Sequence, residues 1–516
     1  MIMENRFNLV DEPWIPVAGK GLASLEEIFS DASLSALGGN PIQKIALTKL
    51  LLAICHAAYT PEDDQDWKGL GSSGMAQRVK AYLNEKKDLF WLYGEKPFLQ
   101  MTAIKKLIAN RKKTELENAK TDGKKKEIEE MALSKFIGAG EFPDLPSENN
   151  TVLTQNQGNI VLSDAEKTVF LITLMNFALG GKRVEKDLPP LSANYAGKSI
   201  SAKSGPSLGN HWGYLHSFLT GTNMLDTLWI NLLTYEQING YRLWTSKLGV
   251  APWEAMPKGE ADNIATALKN SYMGCLVGLC RFVLFENSGI YYVEGIQYPS
   301  HKHGWREPSM ALYEADGTLK ILWVNPEKRP WRELTALLSF INNQNANGFN
   351  CQQIRWSFER AKLLNKFGVW SGGLRVRANA GDQSVKQNDD FVESEIQLNA
   401  KSLGDIWFAY FKQEMTELEN LSSSIKRSTI SFYKAQKAEG KKQADRASNL
   451  FWQLCERKFQ GLVEACDEPL GEDIKKIRPV FAQFVNKAYN TYCPKDTARQ
   501  LDAWAANHPN MAKYLA

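Results

Sequence analysis

The sequence predicts an α+β protein, with a large mixed amino-terminal domain over residues 1–395 and a carboxy-terminal antiparallel four-helix bundle over residues 396–516. Three observations predict it. Short apolar and aromatic runs closed by Pro, Gly and Asn recur before residue 395, which is strand-and-turn chemistry. Longer runs with apolar residues at helical spacing are interleaved with them. After about residue 396 the helical period alone remains.

The chain has 516 residues, of which 43% are hydrophobic, 11% aromatic and 23% charged. That composition excludes a mainly disordered, collagenous or disulfide-stapled protein. With 62 basic and 58 acidic residues the net charge is +4, so any binding to nucleic acid needs local patches rather than the field of the whole molecule. Seven cysteines, at 55, 275, 280, 351, 455, 466 and 493, are scattered without a framework of spacings, the usage of a reducing compartment. Met1 to Phe7 lacks the basic and apolar regions of a signal peptide. The longest uncharged apolar stretch read, Thr168 to Gly181, is shorter than the ~20 residues that span a bilayer. A cytoplasmic protein with no membrane partner is expected.

Taken in order, Phe7 to Val17 mixes apolar and polar positions and is stopped by Pro13 and Pro16, as short strands are. Ile42, Ile45, Leu50, Leu51 and Ile54 predict a buried helix that carries His56 as a core residue. Ile104 to Phe136, dense in Lys and Glu around Lys124–Lys126, reads as a solvated helical insertion or a mobile loop. Asn149 to Gly158 is loop chemistry, and Val169 to Leu179 is a buried helix stopped by Gly180 and Gly181. Pro189 to Gly213, rich in Gly, Ser, Pro and Asn, is long enough to be a functional loop. Residues 272–298 predict two strands joined around Asn287–Gly289, and Leu374 and Val376 alternate with Arg375 and Arg377 in another. Leu403, Trp407, Phe411, Leu418 and Leu421, then Phe451, Leu454, Leu462 and Cys466, then Ile477, Phe481, Val485 and Tyr492 supply the bundle's apolar stripes.

No Walker loop, dinucleotide fingerprint, nucleophile elbow or His-Glu-x-x-His is present. Cys275, Cys280, His301 and His303 could be written as a zinc site, but the Cys pair lies in apolar sequence and is read as buried thiols. No metal or other cofactor is expected. Fifteen tryptophans could line a sugar groove, the alternative reading as a carbohydrate-active enzyme; most lie in apolar periodic segments and are read as core. An RNA-processing subunit, the third reading, lacks an obvious acid–base histidine.

Three segments suit nucleic acid better. Lys426, Arg427, Lys434, Lys437, Lys441, Lys442 and Arg446 give a local basic stripe with Phe432 and Tyr433 beside it, fit for a phosphate backbone or equally for a solvated helix face. The loop Asn194, Tyr195, Ala196, Gly197, Lys198 is small enough for its backbone to approach a minor groove closely. Asp382 and Gln383 sit at a turn after Gly372–Arg377, where a glutamine amide could enter a base stack or could simply belong to a β-turn.

These segments occur in this chain order after Asn8-Leu-Val-Asp-Glu-Pro-Trp-Ile-Pro-Val17, with Leu89–Gln100 and Gly295–His303 as further matches. In that series the chain resembles the CasA family, the large subunits of the type I-E CRISPR surveillance complex called Cascade. The resemblance implies a non-catalytic clamp that reads the protospacer-adjacent motif through the minor groove, wedges the duplex open, guides the displaced strand and recruits a helicase–nuclease. It implies as partners crRNA, the backbone, small and crRNA-end-capping subunits, double-stranded target DNA and that trans-acting nuclease. By motif, Asn194 to Lys198 is similar to the minor-groove loop and Asp382-Gln383 to the wedge. Asn149, Asn150, Thr151, Val152, Leu153 and Thr154 are similar to the loop that contacts the crRNA end and neighbouring subunits. The family's motif-reading lysine has Ser288 in its region here, with Lys302 as the substitute, and the basic stripe would guide the displaced strand.

Overall fold

The computed structural model describes residues 4–130, 135–136, 162–180, 188–192, 204–209, 212–286, 289–315, 317–341, 348–379, 382–385, 390–468 and 471–515. At its centre the strand Lys366–Leu374 pairs antiparallel with His216–Thr220 on one side and Phe391–Asn399 on the other. Trp370 stands opposite both Phe218 and Glu395.

Against this sheet packs the helix Pro41–Ala58, started by a capping box between Asn40 and Gln43 with Pro41 in its first turn. The helix Asp164–Phe177 lies beside it and opens on a second capping box, Ser163 with Glu166. Each cap satisfies amide groups that a helix start leaves without partners, a contribution of about 1 kcal/mol. Pro41–Ala58 is apolar and long enough to cross a bilayer on those criteria alone, and 72% of it is buried inside the protein. It carries Lys44 and Lys49, so Thr168 to Gly181 stays the longer uncharged stretch.

Residues 272–298 differ from expectation in their first half. Arg281–Glu286 and Gly289–Glu294 form the expected antiparallel hairpin, but Tyr272–Leu276 is a short helix because Ser271 caps it through the Gly274 amide. The charged insertion forms two helices, Ala103–Asn118 and Asp122–Glu130, in which only Ile104 and Ile108 are buried.

The sheet strand Phe391–Asn399 runs past residue 396, so the expected domain boundary falls inside it, and the first long helix begins at Asp405. Among the described residues the helical region contains three long helices, Asp405–Ala435, Lys441–Glu456 and Glu472–Tyr492. Shorter helices span Phe459–Ala465, Ala498–Ala506 and Ala512–Leu515. The stripe from Phe451 to Cys466 is broken between Glu456 and Phe459, where Lys458 leaves helical geometry. The two parts of the chain share one apolar core. At their joint Trp331 packs on Phe459, ring centroids 4.2 Å apart, and the Arg332 guanidinium lies 3.7 Å over Trp452 while bonding Glu419 at 2.7 Å.

Candidate nucleic-acid interface

Four segments from three regions of the chain meet beside the central sheet. The first is residues 204–209, which follow the small-residue loop. Gly205 donates to the Ala178 carbonyl at 2.6 Å and Ser207 to that of Asn176 at 3.1 Å, fastening this stem to the end of the Asp164–Phe177 helix. Only glycine fits at 205, since a Cβ there would lie 2.3 Å from the Asn176 carbonyl oxygen.

Below the stem is a buried ionic network. Lys49 Nζ lies 2.6 Å from Glu307 Oε1 and donates to Ser207 Oγ at 2.6 Å, and Ser207 donates to Glu307 Oε2 at 3.0 Å. His216 Nε2 donates to the Ser207 carbonyl at 2.7 Å. Burial alone would push the Glu307 carboxyl up, but Lys49 and His216 outweigh it and hold it well below the ordinary carboxylate range. Serine, lysine, histidine and glutamate in this arrangement look like a hydrolytic site. All four are sealed, with Lys49 and Glu307 at 2% exposure and Ser207 and His216 at 0%, so the network braces the stem.

The second segment is the turn His301–His303. His301 is buried, its Nδ1 within 3.2 Å of the Tyr214 hydroxyl and its ring edge-on to Trp323, centroids 5.1 Å apart. Lys302 stands exposed on this turn. Cys275 and Cys280 are buried, and burial pushes the Cys275 thiol up to about 12, the inert thiol behaviour expected of them.

The third is residues 212–214. Gly213, at φ +88°, passes so close to the sheet that a Cβ would sit 1.9 Å from the Leu374 carbonyl oxygen. Tyr214 stacks on Trp323 at 5.1 Å, and Trp212 meets Trp323 edge-on at 6.0 Å. Trp212 is 55% exposed, the one exposed tryptophan of the fifteen. The others are buried or half-buried, so the residues expected of a sugar groove largely form core instead.

The fourth is the hairpin of Arg377–Asn379 with Asp382–Ser384. Its root is fixed on both sides, Arg375 donating from its amide to the Asp390 carbonyl and Val376 to that of Trp212. The expected alternation is present: Leu374 and Val376 are buried, Arg375 is half-buried and Arg377 exposed. Gln383 departs from expectation. Its side chain is buried at 6% exposure. Nε2 donates to the Gly209 carbonyl at 2.7 Å, Oε1 accepts from the Gly180 amide at 3.0 Å, and its own amide donates to the Gly180 carbonyl at 2.8 Å. A short strand beside two glycine backbones offers an amide side chain complementary donors and acceptors, so in the free protein Gln383 ties hairpin, stem and helix end together rather than standing at a tip.

A cleft of about 470 Å³ opens at the hairpin root, lined among others by Arg329, Arg375, Arg377, Asp390, Asn449 and Gln453. It leads onto the Lys441–Glu456 helix, where Lys442, Arg446, Asn449 and Gln453 recur at helical spacing over about 16 Å. Arg427, Lys434, Lys437, Lys441, Lys442 and Arg446 lie on the surface of the helical region, and Lys426 is half-buried and paired with Asp445 at 3.0 Å. The aromatics beside this stripe pack inward. Phe432 is fully buried against Tyr489, and the Tyr433 hydroxyl donates to the Tyr492 carbonyl, because both close a small core of their own. Asn194 to Lys198, Asn149 to Thr154, Ser288 and the Asp382 side chain lie outside the described residues. Sequence reasoning missed the exposed Trp212, the cleft and the Lys49–Glu307 pair.

The family model of CRISPR-associated protein Cse1 matches residues 8–489. The chain belongs to this family. The CRISPR-associated protein CasA/Cse1 of Thermus thermophilus is 28% identical over 360 residues, which is 64% of this chain and 60% of that relative, less than two thirds of its length. In fold the chain is similar to the crystal structure of Thermus thermophilus CasA, with a TM-score of 0.69 at 20% identity over 99% of each chain. It is likewise similar to Thermobifida fusca Cse1, with a TM-score of 0.68 at 18% identity over 99% of this chain and 97% of that one. A chain of a CRISPR RNA-guided surveillance complex aligns over 99% of both at a TM-score of 0.63 and 14% identity. The family identified from the serial order of motifs is thus the family to which the chain belongs, and the mixed fold with a helical carboxy-terminal part is that of its Cse1 neighbours.

Proposed function

We propose that this chain is the large subunit of a cytoplasmic type I-E CRISPR RNA-guided surveillance complex and that it acts by binding rather than by catalysis. In this reading the Asn194–Lys198 loop enters the minor groove of the protospacer-adjacent motif with Lys302 beside it, and the Asp382–Gln383 hairpin parts the first base pairs. The surface cations from Arg427 to Arg446 guide the displaced strand, and Asn149 to Thr154 meets the crRNA end and the backbone, small and end-capping subunits. A separate helicase–nuclease is then recruited to the opened DNA. Minor-groove reading distinguishes chiefly A·T from G·C and duplex shape, so several motifs should be accepted.

The observation that carries the reading is the bond from Gln383 to Gly209. It joins the hairpin to residues 204–209, the segment that follows the small-residue loop in the chain, which supports reading hairpin and loop as parts of one DNA contact. The buried amide must then exchange its bonds to Gly180 and Gly209 for bonds to bases as the duplex opens. The test is a gel shift and permanganate footprint of the assembled complex on motif-varied duplexes. Motif-dependent opening that is lost when Asn194 to Gly197 are replaced by bulky residues is expected; opening indifferent to motif and to those residues would reject the reading.

A further inference from the structure

Trp212 has a property that duplex opening by the hairpin does not itself call upon. Its indole is more than half exposed although the aromatic rings next to it, Tyr214 and Trp323, are buried and half-buried. It is also held rigidly. Its carbonyl accepts from Val376 at the hairpin root, the next residue is a glycine wedged against Leu374, and its ring rests edge-on against Trp323, itself stacked on Tyr214.

Two arginines lie close to it along the backbone. Arg375 and Arg377 flank Val376, the residue bonded to Trp212, and both line the cleft that Arg329 shares. Glu327, Asp390 and Glu456 line it too, so the cleft does not act as a simple anion sink. What the region offers is an exposed indole and two arginines on the segment bonded to its backbone. That combination suits an unpaired nucleotide, the base against the ring and the flanking phosphates on the arginines. A base inside a duplex is stacked on both sides and has no free face to give.

We infer that Trp212, with Arg375 and Arg377, is a stacking site for one unpaired nucleotide of single-stranded nucleic acid at the hairpin root. The site holds a base released when the duplex is parted, and slows re-annealing. This inference rests on the duplex-opening reading above. The ligand chemistry, a base with flanking phosphodiesters, is common to the target strand and the displaced strand, and the experiment separates them.

The experiment uses the assembled complex with 2-aminopurine placed singly at the first unpaired positions of either strand, and permanganate reactivity as an independent measure of opening. Quenching of 2-aminopurine in one strand, relieved in Trp212→Ala and retained in Trp212→Phe, is expected, and the labelled strand that responds is the one bound. Trp212→Ala should also speed collapse of the open state by roughly five- to a hundredfold, the range for losing one stacked base. Arg375→Gln with Arg377→Gln should relieve the quenching most at low salt, where phosphate contacts contribute most. Because Trp212 is exposed, its truncation leaves the core intact; should Trp212→Ala nevertheless fail to assemble, Trp212→Leu gives the same contrast with Phe. Opening with quenching indifferent to residue 212 would overturn this inference and leave the duplex-opening reading standing. No opening by the unmodified complex would overturn both.

Discussion

Replacing Gln383 tests the link between the folded hairpin and its use. Gln383→Ala removes the donor to the Gly209 carbonyl and the acceptor for the Gly180 amide, while the backbone bond from residue 383 to Gly180 can remain. Both glycines are buried, and a buried polar group left without a partner costs about 1–3 kcal/mol. Water reaching either group would reduce the total, so the local cost is set at ~2–4 kcal/mol. Most of it should appear as easier local opening rather than global unfolding, because the stem keeps its bonds to Ala178 and Asn176 and its network with Lys49. Hydrogen exchange read on peptides covering 176–180 and 204–209 should therefore speed up by about tenfold or more, a tenfold change being ~1.4 kcal/mol. Gln383→Met, similar in length but without the amide, should behave as Ala does if hydrogen bonding rather than packing makes the tie. In the assembled complex both variants should bind motif duplex and open it less. Unchanged exchange in both variants would show that the tie holds nothing, and unchanged opening would remove Gln383 from the wedge.

The other predictions concern the bracing network, acid sensitivity and the basic stripe. Lys49→Met leaves Glu307 charged and buried without its cation, and should lower stability by about 3–5 kcal/mol in urea unfolding; the double variant with Glu307→Gln should recover part of that loss, and no recovery would separate the two residues energetically. Burial first, and then Arg360, lower the His56 pKa from 6.5 to about 3. Between those values the unfolded chain binds the extra proton, so stability should be full above about pH 6.5 and decline as pH falls towards 3, by ~2 kcal/mol at about pH 5. His56→Gln should flatten that decline in urea midpoints measured at several pH values, and an equally steep decline would assign it elsewhere. Neutralising Lys441, Lys442 and Arg446 to Gln should reduce the slope of log affinity against log salt for single-stranded DNA by about 2, since each phosphate contact contributes ~0.7; an unchanged slope would make these residues a solvated helix face.

What the sequence made legible was local. The helices around Ile42–Ile54 and Val169–Leu179 are marked by their own apolar spacing, though the second begins earlier, at Asp164, and the hairpin around Asn287–Gly289 is marked by its own turn chemistry. The failures have a common cause in partners supplied from far along the chain. Gln383 read as a free tip because its partners, Gly180 and Gly209, lie 203 and 174 residues away. The burial of Phe432 could not be seen either, because Tyr489 and Cys493 that cover it come from beyond its own helix.

Lys49 did leave a signal: a cation deep inside the apolar run Ile42–Ile54. A charge on a buried helix face requires a counter-charge, and the sequence offers many acids with no means of choosing Glu307 among them. Trp212 left a weaker one, since it follows a loop of small polar residues instead of sitting in a periodic apolar segment like most of the other tryptophans. In both cases the sequence marks a residue out of place while the fold supplies the reason, a buried brace for Lys49 and an exposed face for Trp212. Lys49 grips the stem at Ser207, five residues before Trp212 in the chain, so a brace that fixes the stem also fixes the platform. On that argument Lys49→Met should disturb the Trp212 readout as well as stability, whereas Trp212→Ala should leave stability unchanged.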